Sequence, residues 1–296
     1  MDLNAESPAA TASLMRKLAK LGALLLGCAA IYGLVLSQFE LANRPREVEF
    51  GAASTDAQVR LYLQPMQIDP VNASLQIRIS VIPDPSDPEA ADTIADRDFT
   101  LKIRRGKQIE HVPVRTNKPM PEVTFEFDLD DGDIRDYPLD RYTSDLTLSA
   151  DEVAPDGTER PLLIRATIWE ALIGFNVKAL QVKEAPAGEI NLTFELHRTG
   201  AASFFGLALY SAMIVMAICA LTIGSLVYVG VRKIEVSLAG ALGAIIFALP
   251  ALRNALPGTP PLGVRADVLV FFWAELAGIV ALCLVVTAWV LRGAKP

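Results

Sequence analysis

Cysteine and histidine are scarce in this sequence. The three cysteines, Cys28, Cys219 and Cys283, all lie inside apolar runs. None can staple the polar part of the chain, so no disulfide framework is expected and their role is small apolar packing. Two histidines, His111 and His197, with no cysteine in the same polar region, leave too few ligands for a zinc site. Neither a metal nor a cofactor is expected. The familiar catalytic signatures are missing too: no G-x-S-x-G, no H-E-x-x-H, no P-loop. Carboxylates are plentiful, but on sheet surfaces they are ordinarily just solvated. No catalytic residue is assigned, and the chain is expected not to be an enzyme. An excess of positive charge is also lacking. The net charge of -7 argues against nucleic acid, whose phosphates require basic surface.

What is present is unevenly distributed. Charged residues make up 21% of the chain and hydrophobic ones 52%. The charge lies mostly between Glu40 and Arg198, and the long apolar runs lie outside that window. Such segregation marks a membrane protein carrying one polar domain. After a small, polar stretch at residues 1–15, expected to be disordered, Arg16, Lys17 and Lys20 precede an uncharged run of about 18 residues, enough to cross a bilayer core. No small-x-small cleavage site follows it. The segment LLGC resembles a lipobox at Cys28, but apolar sequence continues past it where a lipoprotein turns polar. Both features favour an uncleaved anchor.

From Val48 to Arg198 the hydrophobic period becomes two. Eight alternating segments, from QVRLYLQPMQI to EINLTFEL, are separated by turn clusters such as PDPSDPEAAD, TNKPMP, DDGD, APDG and APAG. This pattern predicts an antiparallel β-sandwich with one wet face per sheet. A charge-free run of about 31 residues follows Arg198 and ends at Arg232 and Lys233. A shorter span then carries Ala239/Gly243 and Gly240/Ala244 at a spacing that lets a neighbouring helix approach. The last span covers roughly residues 268–291. The expected division is a tail at 1–20, a first span at 21–39, a β-sandwich at 40–199 and a three-helix membrane domain at 200–296. The fold class is thus a mixed membrane protein, one span before the domain and three after it.

Arg16, Lys17, Lys20, Arg232, Lys233, Arg292 and Lys295 fall on one side of the bilayer if every span crosses, against only Arg253 and Arg265 on the other. The positive-inside rule then predicts a multi-pass plasma-membrane protein with both termini cytoplasmic and the β-domain outside. The bilayer is the expected partner, with a second membrane protein or another copy of the chain as further possibilities.

Four features invite a site. The run Asp128, Asp130, Asp131, Asp133 around Gly132 lacks the glycine and glutamate positions of a calcium loop and reads as a solvated turn. Asn72 and Asn191 head N-x-S/T sequons, which matter only in a eukaryotic secretory host. The Pro/Gly-rich turn at 253–267 holds Arg253, Arg265 and Asp267, and Glu275 lies two turns inside the next span. A carboxylate at that depth needs a partner or water. These four residues form a candidate intramembrane polar network, with Glu275 expected to reach Arg253 or Arg265, otherwise Tyr210 or Ser211. The stretch Tyr137, Pro138, Leu139, Asp140, Arg141, Tyr142 combines aromatic rings with charge, a mixture suited to a contact at headgroup level. It is expected to dock on the 253–267 turn, with Asp140 reaching Arg253 or Arg265 and Arg141 reaching Asp267.

The segments YPLDRYTSDLTLS (137–149) and LPGTPPLGVRADVLVFFWAE (256–275), with one anchor before the domain and three spans after it, carry a resemblance. The chain resembles the actinobacterial and fungal membrane-protein family called domain of unknown function 4436. The resemblance covers nearly the whole chain and implies an integral membrane protein without naming an activity. YPLDRYTSDLTLS is also similar to the loop at the base of pentameric ligand-gated channel β-domains, which sits where that sandwich meets its membrane helices. Tyr137, Pro138, Leu139 and Asp140 match that loop, whereas Tyr142 replaces a Gln and Ser144 a Cys. The spans depart from the channel pattern, which has four after the domain and no anchor before it. The expected function is a non-catalytic binding, assembly or cell-envelope role; the alternative is a transporter or channel component using Glu275.

Overall fold

The computed structural model describes residues 8–42, 46–53, 56–82, 97–116, 118–119, 121–154, 158–182, 185–186 and 188–292. Residues 1–7, the turn cluster at 83–92, parts of those at 116–121, 154–157 and 185–188, and Lys295 lie outside the described residues.

The chain opens with α1 (Pro8–Ala42), which contains the expected first span and extends it at the front. Residues 8–15, expected to be disordered, are helical. Twelve strands follow: β1 (Glu47–Gly51), β2 (Val59–Asp69), β3 (Ser74–Ile82), β4 (Phe99–Arg105), β5 (Gln108–Val114), β6 (Glu122–Asp128), β7 (Asp131–Gly132), β8 (Arg141–Val153), β9 (Glu159–Leu162), β10 (Ile164–Trp169), β11 (Phe175–Gln181) and β12 (Glu189–Arg198). The eight alternating segments correspond to β2, β3, β4, β6, β8, β10, β11 and β12. Of the four additional strands, β5, β7 and β9 are short or exposed with little alternation to betray them, and β1 (EVEFG) alternates over only five residues. β5, for example, shows only Val114 buried.

The strands form two sheets, β1-β10-β2-β3-β6 and β11-β12-β8-β4-β5, with β7 and β9 both pairing to β8. The expectation of a purely antiparallel sandwich needs one correction: β10 and β2 run parallel, with Ile164 opposite Val59 and Ile168 opposite Leu63. Alternation does the rest. Leu61, Leu63, Ile77 and Ile168 from one sheet meet Ile103, Leu148, Leu192 and Phe194 from the other in a single apolar cluster. Each such side chain contributes about 1.5–3 kcal/mol by leaving water.

Beyond Arg198 come α2 (Gly200–Val229), α3 (Val236–Asn254) and α4 (Phe272–Arg292), the last preceded by a π-helical turn at Asp267–Phe271. Thr199 caps α2, its hydroxyl accepting from Ala202 N–H at 3.3 Å. Gly230, at φ +90°, ends α2 in the left-handed conformation that only glycine adopts cheaply. All four helices are long and apolar enough to cross a membrane. At 30 residues, α2 is ~45 Å long at 1.5 Å per residue, more than a bilayer core.

The tight helix crossing is not where the small-residue spacing of α3 predicted it. Nothing lies within 4 Å of a Cβ built at Gly240 or Gly243. Instead Gly224 of α2 lies so close to α4 that its Cβ would stand 2.7 Å from the Ala281 carbonyl oxygen. The far ends of α2 and α4 are also tied, because Arg292 Nη1 donates to Val227 O at 3.1 Å. α2 and α4 therefore run side by side, with their N-terminal ends toward the β-domain.

Candidate functional site at the domain–helix joint

Among the described residues, the buried charged side chains Asp140, Arg198, Arg253 and Asp267 gather where the sandwich meets the helices. Two elements bring them there. β12 runs straight into α2 through Arg198 and Thr199, both buried. The turn before β8 presses back against the same place. Its Tyr137 and Pro138 are joined by a cis peptide bond, and Ser203 of α2 donates to Pro138 O at 2.9 Å.

At the centre of this joint Arg198 Nε donates to Asp140 Oδ1 at 2.6 Å. Their side chains are 4% and 0% exposed, so this is a pair removed from water rather than a surface ion pair. Tyr142 donates from its hydroxyl to Asp140 Oδ2 at 2.7 Å, occupying the second carboxylate oxygen. The guanidinium of Arg198 lies 4.6 Å from the Tyr137 ring centre and 4.9 Å from that of Phe175. The cation thus meets two aromatic rings, the environment in which a planar, weakly hydrated guanidinium is best placed. Burial pushes the Tyr137 phenol up to about 12, with the nearby Arg198 charge opposing. Burial and the hydrogen bond to Asp140 push the Tyr142 phenol up as well.

A second network stands beside it on the helices. Asp267, wholly buried, accepts from Arg253 Nη2 at 2.8 Å, from Tyr210 Oη at 2.8 Å and from Gly263 N–H at 3.0 Å. Arg253 Nη2 also donates to the carbonyls of Pro260 and Pro261 at 2.8 and 2.7 Å. One ion pair therefore clamps the 253–267 turn shut and fastens it to α2. The π turn that starts α4 begins at this same aspartate.

The networks touch. Tyr137 belongs to the apolar cluster of Tyr210, Leu256, Val264 and Phe271. A Cβ at Gly206 would stand 3.0 Å from Pro138, and one at Gly258 would stand 2.9 Å from Arg198 Nη1. Outside, Arg265 Nη1 pairs with Asp136 Oδ1 at 2.6 Å.

The expected contacts are redistributed accordingly. Asp140 pairs with Arg198, not with Arg253 or Arg265. Arg141 is exposed and does not reach Asp267, whose oxygens are taken by Arg253, Tyr210 and Gly263. Leu139 is exposed, 63% of it to solvent. Of the proposed intramembrane set, Arg253 and Asp267 come together, Arg265 turns outward to Asp136, and Glu275 joins none of them. Its Oε2 is buried without a hydrogen-bond partner. Every partner expected for it is engaged elsewhere: Ser211 donates to Leu207 O, and Tyr210 to Asp267. The residue missed from sequence was Arg198. It is the cation that ends the last strand, just before a charge-free run, and that position was its signal.

The acidic run near 130 is also accounted for. Asp133 caps a short 3-10 turn through Arg135 N–H, and Asp130 accepts from Asp145 N–H at 2.8 Å. Among the described residues no cluster of His, Cys, Asp or Glu is arranged to hold a metal ion.

Comparison with known families divides the chain at this same joint. A family model described as "Domain of unknown function (DUF4436)" matches residues 48–196, half of the chain. The chain belongs to the DUF4436 family. A second model, "Domain of unknown function (DUF8686)", matches residues 198–292. The first match covers the sandwich, and the second covers α2 to α4. Arg198 is the first residue of the second match, and its partner Asp140 lies in the first. The buried ion pair therefore joins the two matched regions. No curated protein matches the chain.

Proposed function

We propose that this DUF4436 protein is a multi-pass membrane protein whose sandwich is a non-catalytic binding or assembly platform, held in fixed orientation over a three-helix bundle. The observation that supports this is the Asp140–Arg198 pair with its aromatic walls. A flexible tether would need no buried charge at the joint. A platform that must present one face relative to the membrane does. In this reading the bilayer is the main partner, and a second membrane protein or another copy of the chain meets the platform.

The Lys/Arg distribution supports an orientation with both termini cytoplasmic and the sandwich outside. Arg232, Lys233 and Arg292 cluster at the ends of the helices remote from the sandwich. A reporter fused after Lys295 and another inserted at 83–92 should give opposite sidedness; equal sidedness would overturn the reading. Mass measurement of the detergent-solubilised protein then separates a monomeric platform from an assembly of copies.

One observation favours a second reading, a transport component. Glu275 carries a buried, unpartnered carboxylate oxygen within an apolar span, where such a group is costly and therefore marks a functional candidate. Proton flux into liposomes bearing the protein, abolished by Glu275→Leu, would establish it. Flux equal to that of empty liposomes would remove it.

A further inference from the structure

Beside the joint, on the outer face of the second sheet, lies a cleft of about 540 Å³. The register places its charges in two rows. Asp131 stands opposite Thr143, Thr143 opposite Glu195, and Glu195 opposite Lys178, across β7, β8, β12 and β11. In the next row Arg141 stands opposite His197, and His197 opposite Asn176. Gly132, at φ +119°, lets β7 lie close against β8 and close one side of the cleft, since a Cβ there would stand 2.2 Å from Arg141 O. Buried Tyr142 lines the cleft as well.

Lys178 and Glu195 are opposite in charge and directly across from each other, an arrangement that ordinarily closes into a cross-strand pair. Here it does not. Among the described residues, Asp131, Arg141, Lys178 and Glu195 enter no ion pair, while other exposed charges of the domain do, such as Arg115 with Asp98. His197 meets only Asn176, its Nε2 lying 3.3 Å from Asn176 Nδ2. The cleft therefore presents two cations and two anions that form no ion pair with one another. A simple anion or a simple cation would satisfy half of this lining and be repelled by the rest.

We propose that this cleft binds a small zwitterion, an oxyacid anion joined to an ammonium group. The anion lies toward Arg141 and Lys178, and the ammonium toward Asp131 and Glu195. The proposal deepens the platform reading by naming its ligand class, and it rests on that reading only for the cleft's position. His197 lies three residues before Gly200, ~10 Å along an extended strand, so the cleft stands at headgroup height if α2 enters the bilayer at its first turn. The ligand can thus come from a phosphatidylethanolamine headgroup or from free solute. Tyr142 connects the cleft to the joint through its hydrogen bond to Asp140.

The test is titration calorimetry of the full chain in detergent with glycerophosphoethanolamine, using inorganic phosphate and ethanolamine as separate controls. The zwitterion should bind at least tenfold more tightly than either half. Lys178→Ala and Glu195→Ala, both at exposed positions, should each weaken it at least tenfold without moving the unfolding temperature, and Lys178→Arg should retain it. Equal binding of phosphate alone, or substitutions without effect, would overturn the proposal. So would absence of binding to the wild type. Nanodiscs distinguish the sources. Loss of the free probe's binding in phosphatidylethanolamine discs, but not in phosphatidylglycerol discs, identifies a lipid headgroup; binding in both identifies a solute. The topology reporters do not depend on the cleft, so failure here leaves the platform reading standing.

Discussion

Arg198 and Asp140 are 58 residues apart in sequence and form a 2.6 Å ion pair with both side chains out of water. Asp140→Ala leaves the guanidinium buried and unpaired, and about 3–5 kcal/mol of stability should be lost. The triple variant Asp140→Leu/Arg198→Met/Tyr142→Phe removes both charges and the hydroxyl that Asp140 accepts from, and should recover most of that loss, because an apolar cluster of similar volume avoids the desolvation penalty. Thermal unfolding in detergent measures both. A single variant as stable as wild type would show that the joint is open to water.

Two tyrosines beside the Asp140–Arg198 pair should behave oppositely. Tyr142 gives its proton to the Asp140 carboxylate, so Tyr142→Phe forfeits a hydrogen bond to a charged group, about 1.5–3 kcal/mol. The hydroxyl of Tyr137 is buried with no hydrogen-bond partner, so Tyr137→Phe should be neutral or stabilising.

The pH dependence follows with a definite sign. A phenol held up to about 12 in the folded protein and near 10 when unfolded favours folding fully below pH 10. That contribution fades as pH rises toward 12, because the unfolded chain ionises first. Unfolding midpoints between pH 9 and 12 should therefore fall less steeply in Tyr137→Phe than in wild type. Equal slopes would place the phenol in water.

Much of this was legible in the chain and some was not, for physical reasons. Alternation locates eight strands because each has one face in the core. It is silent for β5 and β7, which bury almost nothing. The parallel pairing of β10 with β2 leaves no local trace, since register across 100 residues is set by the whole core. The turns at 137–142 and 253–267 were legible as amphipathic, stiff segments. Which charge meets which was not: Asp140 has three arginines within plausible reach of the joint, and only packing chooses Arg198. The small-residue spacing of α3 misled because spacing alone does not say which face is occupied. Gly224, an ordinary glycine in a long apolar run, carries the close contact.

That contact yields a paired expectation. A methyl at Gly224 would meet the Ala281 backbone at 2.7–2.8 Å, and backbone cannot swing aside. Gly224→Ala should push α2 and α4 apart and cost about 1–3 kcal/mol. Gly243→Ala meets nothing within 4 Å and should be neutral or gain up to about 1 kcal/mol of helix propensity. If Gly243→Ala instead lowers the mass of the solubilised particle, the open face of α3 is occupied by another copy.

The Arg253–Asp267 network supports the sharpest ranking. Asp267 is wholly buried and its two oxygens accept from three different residues, so a lost partner is not made good by bulk solvent. Asp267→Asn keeps the shape but removes the charge, leaving Arg253 uncompensated in the bundle at a cost of about 3–5 kcal/mol. Arg253→Lys keeps the charge but loses the planar fork that reaches Asp267 and two proline carbonyls together. About 2–4 kcal/mol should go with those bonds. Tyr210→Phe removes one donor and leaves the ion pair intact, about 1.5–3 kcal/mol. Thermal unfolding in one detergent should therefore rank the variants Asp267→Asn, Arg253→Lys, Tyr210→Phe from least to most stable. The turn should also become cleavable by protease in the first two, since Arg253 holds its carbonyls, and stay resistant in the third. If Tyr210→Phe proves the most damaging, the hydroxyl rather than the ion pair fastens the turn to α2.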